Sequence, residues 1–328
     1  MNGVDISRFP FEYDLTWMSF FQNAAGRTYL RYGGRNDHDS ESHLNQKSLV
    51  RAMRQTLALH RDNRVQPINR YEPAPREAFT PEAIPTMAKM LSKRKEKCIH
   101  CHDVKGARLK HQRELGRLDK KSVHTYPSPE NLGMVLDPEI QYQVKRVTAY
   151  SPAAAAGLQA GDLVRQVAGQ RVLTYGDVTR VLELAPESGS LPVTIERNRQ
   201  KQTVELSLPP GWRTSVDPSW RGTTGVLGPS AGVWGKKADS KQRRNLGLGE
   251  GDLAIRVTFI WAAWAKQAKI RHGDYIVSVD GKTHDMTIRQ LQAYLHLNRN
   301  WGDTTVIEVV RNKQRLKLTF QFPKQPPY

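Results

Sequence analysis

Cysteine is almost missing from this 328-residue chain, which has only Cys98 and Cys101. A scaffold stapled by several disulfides is therefore excluded. Long apolar runs are missing too. The longest, Phe259 to Ala265, falls far short of the roughly 18 residues that a membrane-spanning helix needs. Acidic residues are scarce: 32 Asp and Glu stand against 50 Lys and Arg, a formal charge of +18. That balance favours acidic partners. With 38% hydrophobic and 25% charged residues the chain is polar yet foldable, and its length suits two or three domains.

The charge is concentrated in residues 89–121, which hold twelve Lys or Arg and four Asp or Glu. Such a run reads as a solvated linker. It has neither aromatic stacking positions nor a reading helix, so nucleic acid is disfavoured as a partner.

Along the chain the texture is α+β and multidomain. Residues 1–62 read as a hairpin plus a helix. Leu15 to Phe21 and Thr28 to Tyr32 are strand-like around the turn Asn23-Ala24-Ala25-Gly26, and Lys47 to Arg61 carries Val50, Met53 and Leu57 at helical spacing. A hairpin and one helix bury too little to stand alone, so either neighbouring domains cover them or the chain starts upstream of Met1. Residues 63–130 read as a linker rich in proline (Pro67, Pro73, Pro75, Pro81, Pro85), followed by a helical stretch from Pro85 to Lys97 and the basic segment with both cysteines.

Residues 131–212 and 226–323 then repeat one pattern. Gly161-Asp162 and Gly169 in the first copy are matched by Gly273-Asp274 and Gly281 in the second, each glycine pair 112 positions apart. Each copy closes in a hairpin, around Arg197-Asn198-Arg199 and Arg311-Asn312-Lys313. Ser151 to Val172 resembles the core signature of bacterial PDZ domains, and Ala262 to Thr283 is a weaker match. The resemblance implies two small β-barrels with helices that bind protein C-termini by strand addition, a glycine loop offering N–H groups to the terminal carboxylate. In the first copy the loop would be Leu132-Gly133-Met134 and the groove helix Asp177 to Leu184, with Val178, Val181 and Leu182 facing the ligand. In the second the loop would be Ala231-Gly232-Val233 and the helix Thr287 to Leu297, started by a Thr287/Gln290 capping box. Gly232 lies 13 residues further from its Gly-Asp turn than Gly133 does, and the extra residues form a basic insert around Lys236, Lys237, Lys241, Arg243 and Arg244. The insert is expected to block or re-aim the second groove. Gly228-Pro229-Ser230-Ala231-Gly232 matches a serine nucleophile elbow, but no helix follows it, and no protease or hydrolase domain is evident.

Cys98-Ile99-His100-Cys101-His102 is C-x-x-C-H, the attachment pattern of haem c. Two thiols at this spacing reach the two vinyl groups of one haem, and the histidine becomes the iron ligand. Sixth-ligand candidates are His111, His124, Met87, Met90 and Met134. Two other readings compete: a zinc site built from Cys98 and Cys101 with two of His100, His102, His111 and His124, and a dithiol redox pair.

Tyr13-Asp14-Leu15-Thr16-Trp17 with Phe20-Phe21, the Cys98–His102 motif and Gly161-Asp162 together make the chain similar to planctomycete-type secreted proteins. In those a thioredoxin-like segment precedes a haem site and PDZ repeats. The resemblance implies a partial thioredoxin-like unit, redox-inert here, and no firm reaction. The expectation is thus a periplasmic or otherwise extracytoplasmic haem protein for electron transfer or sensing, with an acidic redox partner and PDZ-bound protein tails. Its rival is a non-haem PDZ adaptor with structural zinc. No export signal opens the sequence, which fits a start assigned too late.

Overall fold

Two stretches of chain, Met1–Asp217 and Pro218–Tyr328, fold as separate units in a computed structural model that describes residues 1–37, 39–62 and 79–326. Pro67, Pro73 and Pro75 of the expected linker lie outside the described residues.

In the first unit β1 (Ser19–Gln22) and β2 (Thr28–Tyr32) form the expected antiparallel hairpin. Asn23 makes its turn: the side-chain oxygen accepts the N–H groups of Ala25 and Arg27. Helix α1 (Gln46–Arg61) starts at Asn45, whose side chain accepts the Ser48 N–H. It docks on the hairpin through its small residues. Ser48 and Ala52 are buried near Leu30 and Tyr32, with the Tyr32 hydroxyl 2.8 Å from Ser48 Oγ. The stripe that marks the helix in the sequence points the other way: Val50, Met53 and Leu57 are 37%, 49% and 52% exposed.

The segment read as a solvated linker is folded where it is described. Helices α2 (Pro85–Ser92) and α3 (Cys101–Glu114) pack together, and Met87, Ile99 and Val104 share a core with Ile6, Phe11 and Tyr13. The reason lies in where one charge goes. Lys105 is buried on α3, its Nζ 2.7 Å from Glu12 Oε1, 2.9 Å from Asp14 Oδ2 and 3.1 Å from Thr125 Oγ1. A buried cation holds only when paired and hydrogen-bonded, so this cluster ties residues 12–14 to α3 and to the chain at 125.

The thioredoxin-like expectation for residues 1–62 is not met. The hairpin has two strands. Residues near the N-terminus share a core with α2 and α3, while β2 packs on α1 and on helix α5 (Tyr175–Glu183) of the following domain. Two strands and one helix have too little apolar area for a core of their own and are covered by their neighbours.

The rest of the first unit contains β3 (Met134–Leu136), β4 (Val144–Val147), α4 (Pro152–Ala155), β5 (Leu163–Val167), β6 (Gln170–Arg171), α5, β7 (Gly189–Arg197) and β8 (Gln200–Leu208). The strands form a β3-β4 pair and a four-stranded sheet ordered β6-β5-β7-β8, closed around Val164, Val193, Ile195 and Leu206.

The second unit has β9 (Val233–Lys237), α6 (Ser240–Asn245), β10 (Ile255–Ile260), α7 (Ala263–Gln267), β11 (Tyr275–Val279), α8 (Ile288–Asn298), β12 (Thr304–Arg311) and β13 (Gln314–Gln321). Its five strands form one antiparallel sheet, β13-β12-β11-β10-β9, with β9 at an edge. The Thr287/Gln290 capping box opens α8 as expected.

The units repeat each other in bonding as well as in sequence. Asp162 accepts the Gln159 N–H and a two-pronged bond from Arg197, whose Nη2 also donates to the Gly157 carbonyl. Asp274 accepts the Arg271 N–H and the same fork from Arg311, which also reaches the Lys269 carbonyl. A buried carboxylate met by a planar guanidinium fixes both distance and angle. It locks the turn before β5 to the end of β7, and the turn before β11 to the end of β12.

Candidate functional site

The first groove is not available as the sequence suggests. Helix α5 starts at Thr174, whose hydroxyl accepts the Asp177 N–H. From that start Val178, Val181, Leu182 and Ala185 fall on one stripe, and all four lie in the domain core. The apolar face read as ligand-facing is the core face. The remaining faces are covered by other parts of the unit. The Arg31 N–H donates to Asp177 Oδ1 at 2.9 Å, and a Cβ on Gly176 would stand 3.0 Å from the Arg31 carbonyl oxygen. The Tyr126 N–H donates to Glu183 Oε2 at 2.7 Å. Residues 175–182 are all buried.

The proposed loop of this groove is buried too. Leu132, Gly133 and Met134 are buried, and the Gly133 N–H donates to the Glu130 carbonyl at 2.9 Å. Beside the loop Glu130 Oε2 accepts the Tyr175 hydroxyl at 2.9 Å, and burial raises the pKa of both groups. The Tyr175 ring stacks on His43 with centroids 3.8 Å apart. Burial lowers the His43 pKa to about 4, although Asp137 and Asp39 pull the other way.

The second unit holds an open groove. A cavity of about 560 Å3 lies between α8, the loop leading into β9, and the 219–225 segment. One face of α8 lines it with Arg289, Gln292, Ala293 and His296. Trp220, Trp234, Trp261, Trp264 and Trp301 also line it, five of the seven tryptophans in the chain. Trp264 meets both Trp261 and Trp301 edge to face. The Arg221 guanidinium sits 4.3 Å over the Trp220 ring, and burial lowers its pKa to about 9, so it stays cationic at neutral pH. Among the described residues, no acidic side chain lines it.

The loop ahead of β9 is pinned by tight packing. Gly232 has φ +69°, and a Cβ there would lie 2.2 Å from the Ala262 Cβ. Ser230 is buried and its Oγ accepts the Gly232 N–H at 3.2 Å, with strand β9 following directly. This is not the strand–serine–helix arrangement of a nucleophile elbow. The basic insert does not reach the cavity. Arg243 folds it back, donating to the Ala238 and Gly249 carbonyls and to Asp285 Oδ1. Sequence reasoning missed Gln292 and the tryptophans. The signals were polar residues at 289, 292 and 296, spaced as one helical face, and the crowding of tryptophan between 220 and 301.

The cysteine–histidine motif is the entry to α3. His100 is its N-cap residue: the Asp103 N–H donates to the His100 carbonyl at 3.1 Å while the Asp103 carboxylate accepts the His100 N–H at 2.9 Å. Burial pulls the Asp103 carboxyl pKa up, but the Arg94 fork at 2.6 and 2.8 Å and the His100 N–H outweigh it and hold it at about 2. Cys98 is exposed, Cys101 is half-buried, and burial raises the Cys101 thiol pKa. The His102 side chain is 64% exposed. Met87 and Met134 belong to two separate cores, Met90 packs at the rim of the first, and His124 is half-buried, its pKa lowered by burial and by Lys105. His111 is likewise half-buried near the end of α3. Among the described residues no three His, Cys, Asp or Glu side chains gather to hold a metal ion. Zinc therefore does not fit Cys98, Cys101 and these histidines as they stand.

Compared with known proteins, residues 143–197 match the PDZ domain family, and a PDZ domain is present there. A Vibrio cholerae protein named "Putative zinc metalloprotease" is 33% identical over 97 residues, 30% of this chain and 21% of its own. A Rhizobium meliloti protein of the same description is 32% identical over 84 residues, 26% of this chain and 21% of its own. The chain thus spans about a fifth of these relatives. Among solved structures, the HtrA-type protease AlgW with a tripeptide is similar over 43% of this chain and 50% of that one, at 21% identity and a TM-score of 0.28. The serine endoprotease from Yersinia pestis is similar over 23% and 27%, at 24% identity and a TM-score of 0.21. At such scores neither structure is a guide to this chain's architecture.

These findings overturn the expectation of a haem c electron carrier or sensor. The relatives carry protease names, and the motif expected to bind haem is a helix cap with its candidate ligands dispersed. The acidic redox partner loses its basis with the haem.

Proposed function

We propose that this chain is a peptide-recognition protein whose second unit is a further PDZ-like domain, and that its working groove is the tryptophan-lined one. The observation that carries this reading is the 560 Å3 cavity between α8 and the loop leading into the edge strand β9. An edge strand offers unpaired main-chain groups to an added strand, and a neighbouring helix supplies side-chain pockets for it. The repeated Asp–Arg fork and Gly-Asp turn support the assignment of the second unit to the PDZ type. Arg289 in the cavity wall favours a ligand with acidic as well as apolar side chains.

The names of the Vibrio and Rhizobium relatives favour recognition in the service of proteolysis, with this chain delivering or gating protein substrates. Panning the full chain against phage-displayed random decapeptides tests the reading. Enriched peptides are expected to quench tryptophan fluorescence on titration, and Trp261→Ala to weaken them at least about tenfold, as befits an aromatic anchor. Enrichment no greater than on an uncoated surface would refute it.

A further inference from the structure

The strand edge of the second groove is already engaged from within. Gln292, buried on α8, reaches across to the loop: its Oε1 accepts the Ala231 N–H at 2.9 Å and its Nε2 donates to the Val233 carbonyl at 2.7 Å. It thereby takes up one main-chain donor and one main-chain acceptor of the loop that an added strand would otherwise have to use. The intervening Gly232 N–H donates to Ser230 Oγ, and the Gly232 carbonyl accepts the N–H groups of Trp261 and Ala262, each at 3.1 Å. Two of the loop's N–H groups that a terminal carboxylate would need, those of Ala231 and Gly232, are therefore matched already. Displacing Gln292 would cost both of its bonds and leave a buried amide to be satisfied again.

The cavity does not end at this loop. Along α8 its lining runs from Arg289, about one turn before Gln292, to His296, about one turn after it, with Gly225 and Gly228 beside His296. His296 is held in the wall by Nδ1, 2.7 Å from the Gly228 carbonyl. A chain lying in the groove has room to continue past the loop.

We infer that Gln292 closes the carboxylate cradle of the second unit, so that its groove takes an internal, extended segment of a protein with apolar and acidic side chains rather than a free C-terminus. The inference rests on the proposed peptide-binding role and names the class of ligand for that same site. The ligand passes alongside Gln292 and contacts the tryptophans and Arg289.

Two phage libraries of random decapeptides test it on the full chain, one ending in a free C-terminus and one followed by an invariant carrier sequence. Wild-type protein is expected to enrich peptides from the carrier-embedded library, with the free-terminus library favoured by less than about tenfold. The variant Gln292→Leu keeps the volume but frees the Ala231 N–H, and it is expected to shift the ratio toward free termini by at least about tenfold. Preference of the wild type for free termini by tenfold or more overturns the inference while leaving peptide binding intact. Failure of both libraries overturns the peptide-binding role itself, and the inference with it. The wild-type comparison decides the matter even if the variant does not fold.

Discussion

Asp177 on α5 accepts the main-chain N–H of Arg31, 146 residues earlier, at 2.9 Å, and so joins the N-terminal hairpin to the PDZ domain. Its second oxygen accepts the Leu173 N–H at 3.1 Å. The joint carries two buried groups of opposite titration. Burial raises the Asp177 pKa to about 6, although Arg31 and these N–H groups pull it down, while burial lowers His43 to about 4.

The two groups give opposite pH slopes. The raised Asp177 contributes stability that is full below its ordinary 3.8 and is lost as pH rises through about 6. The lowered His43 contributes stability that is present above its ordinary 6.5 and lost as pH falls through about 4. Acidification from pH 6.5 to 4 should therefore cost Asp177→Asn about 2 kcal/mol more than wild type, and cost His43→Phe less than wild type by a similar amount. Urea unfolding at the two pH values checks both signs.

Lys105→Met should lose about 3–5 kcal/mol, because Glu12 and Asp14 then keep buried charge without their cation. Adding Glu12→Gln and Asp14→Asn should restore most of it. The urea midpoints of the single and triple variants measure the difference.

Gly232 and Gly247 have nearly equal backbone angles, φ +69° and +68°, but only Gly232 is crowded. Gly247→Ala should cost about 1 kcal/mol, the penalty of a left-handed residue with a Cβ. Gly232→Ala should cost about 1–3 kcal/mol more, through its collision with Ala262. Thermal unfolding of the pair separates backbone strain from crowding.

Met53→Gln and Leu57→Gln should each change stability by less than about 0.5 kcal/mol, since both side chains face solvent on α1. Leu30→Ala beneath the same helix should cost about 2–5 kcal/mol. Chemical denaturation distinguishes the two faces.

What the sequence makes legible here is local. The Asn23–Gly26 turn, the Thr287/Gln290 cap and the hairpin turns at Asn198-Arg199 and Asn312-Lys313 depend on neighbours within a few positions, and all form. What it hides is which face of a helix is covered. The apolar stripe of α1 points to solvent and that of α5 to the core, because β2 claims the polar side of one and the small-residue side of the other. Those choices are made by residues up to 146 positions away. The cysteine–histidine motif misleads for a similar reason. Its spacing suits haem and a helix cap alike, and the other ligands have to be brought in by folding. The candidate groove helix of the second unit was in reach, but Gln292 gained meaning only once its amide lay against Ala231 and Val233.

The Asp–Arg fork is common to both units, yet neither Asp274 nor Arg311 lines the tryptophan groove. The part of the repeat that holds its shape is thus chemically separate from the groove proposed to take a peptide. Duplicate copies of such a design can drift in what they recognise without relearning how to fold. One has had its helix walled in by a hairpin, the other has furnished its helix with Arg289, Gln292 and His296, and the same clamp serves both.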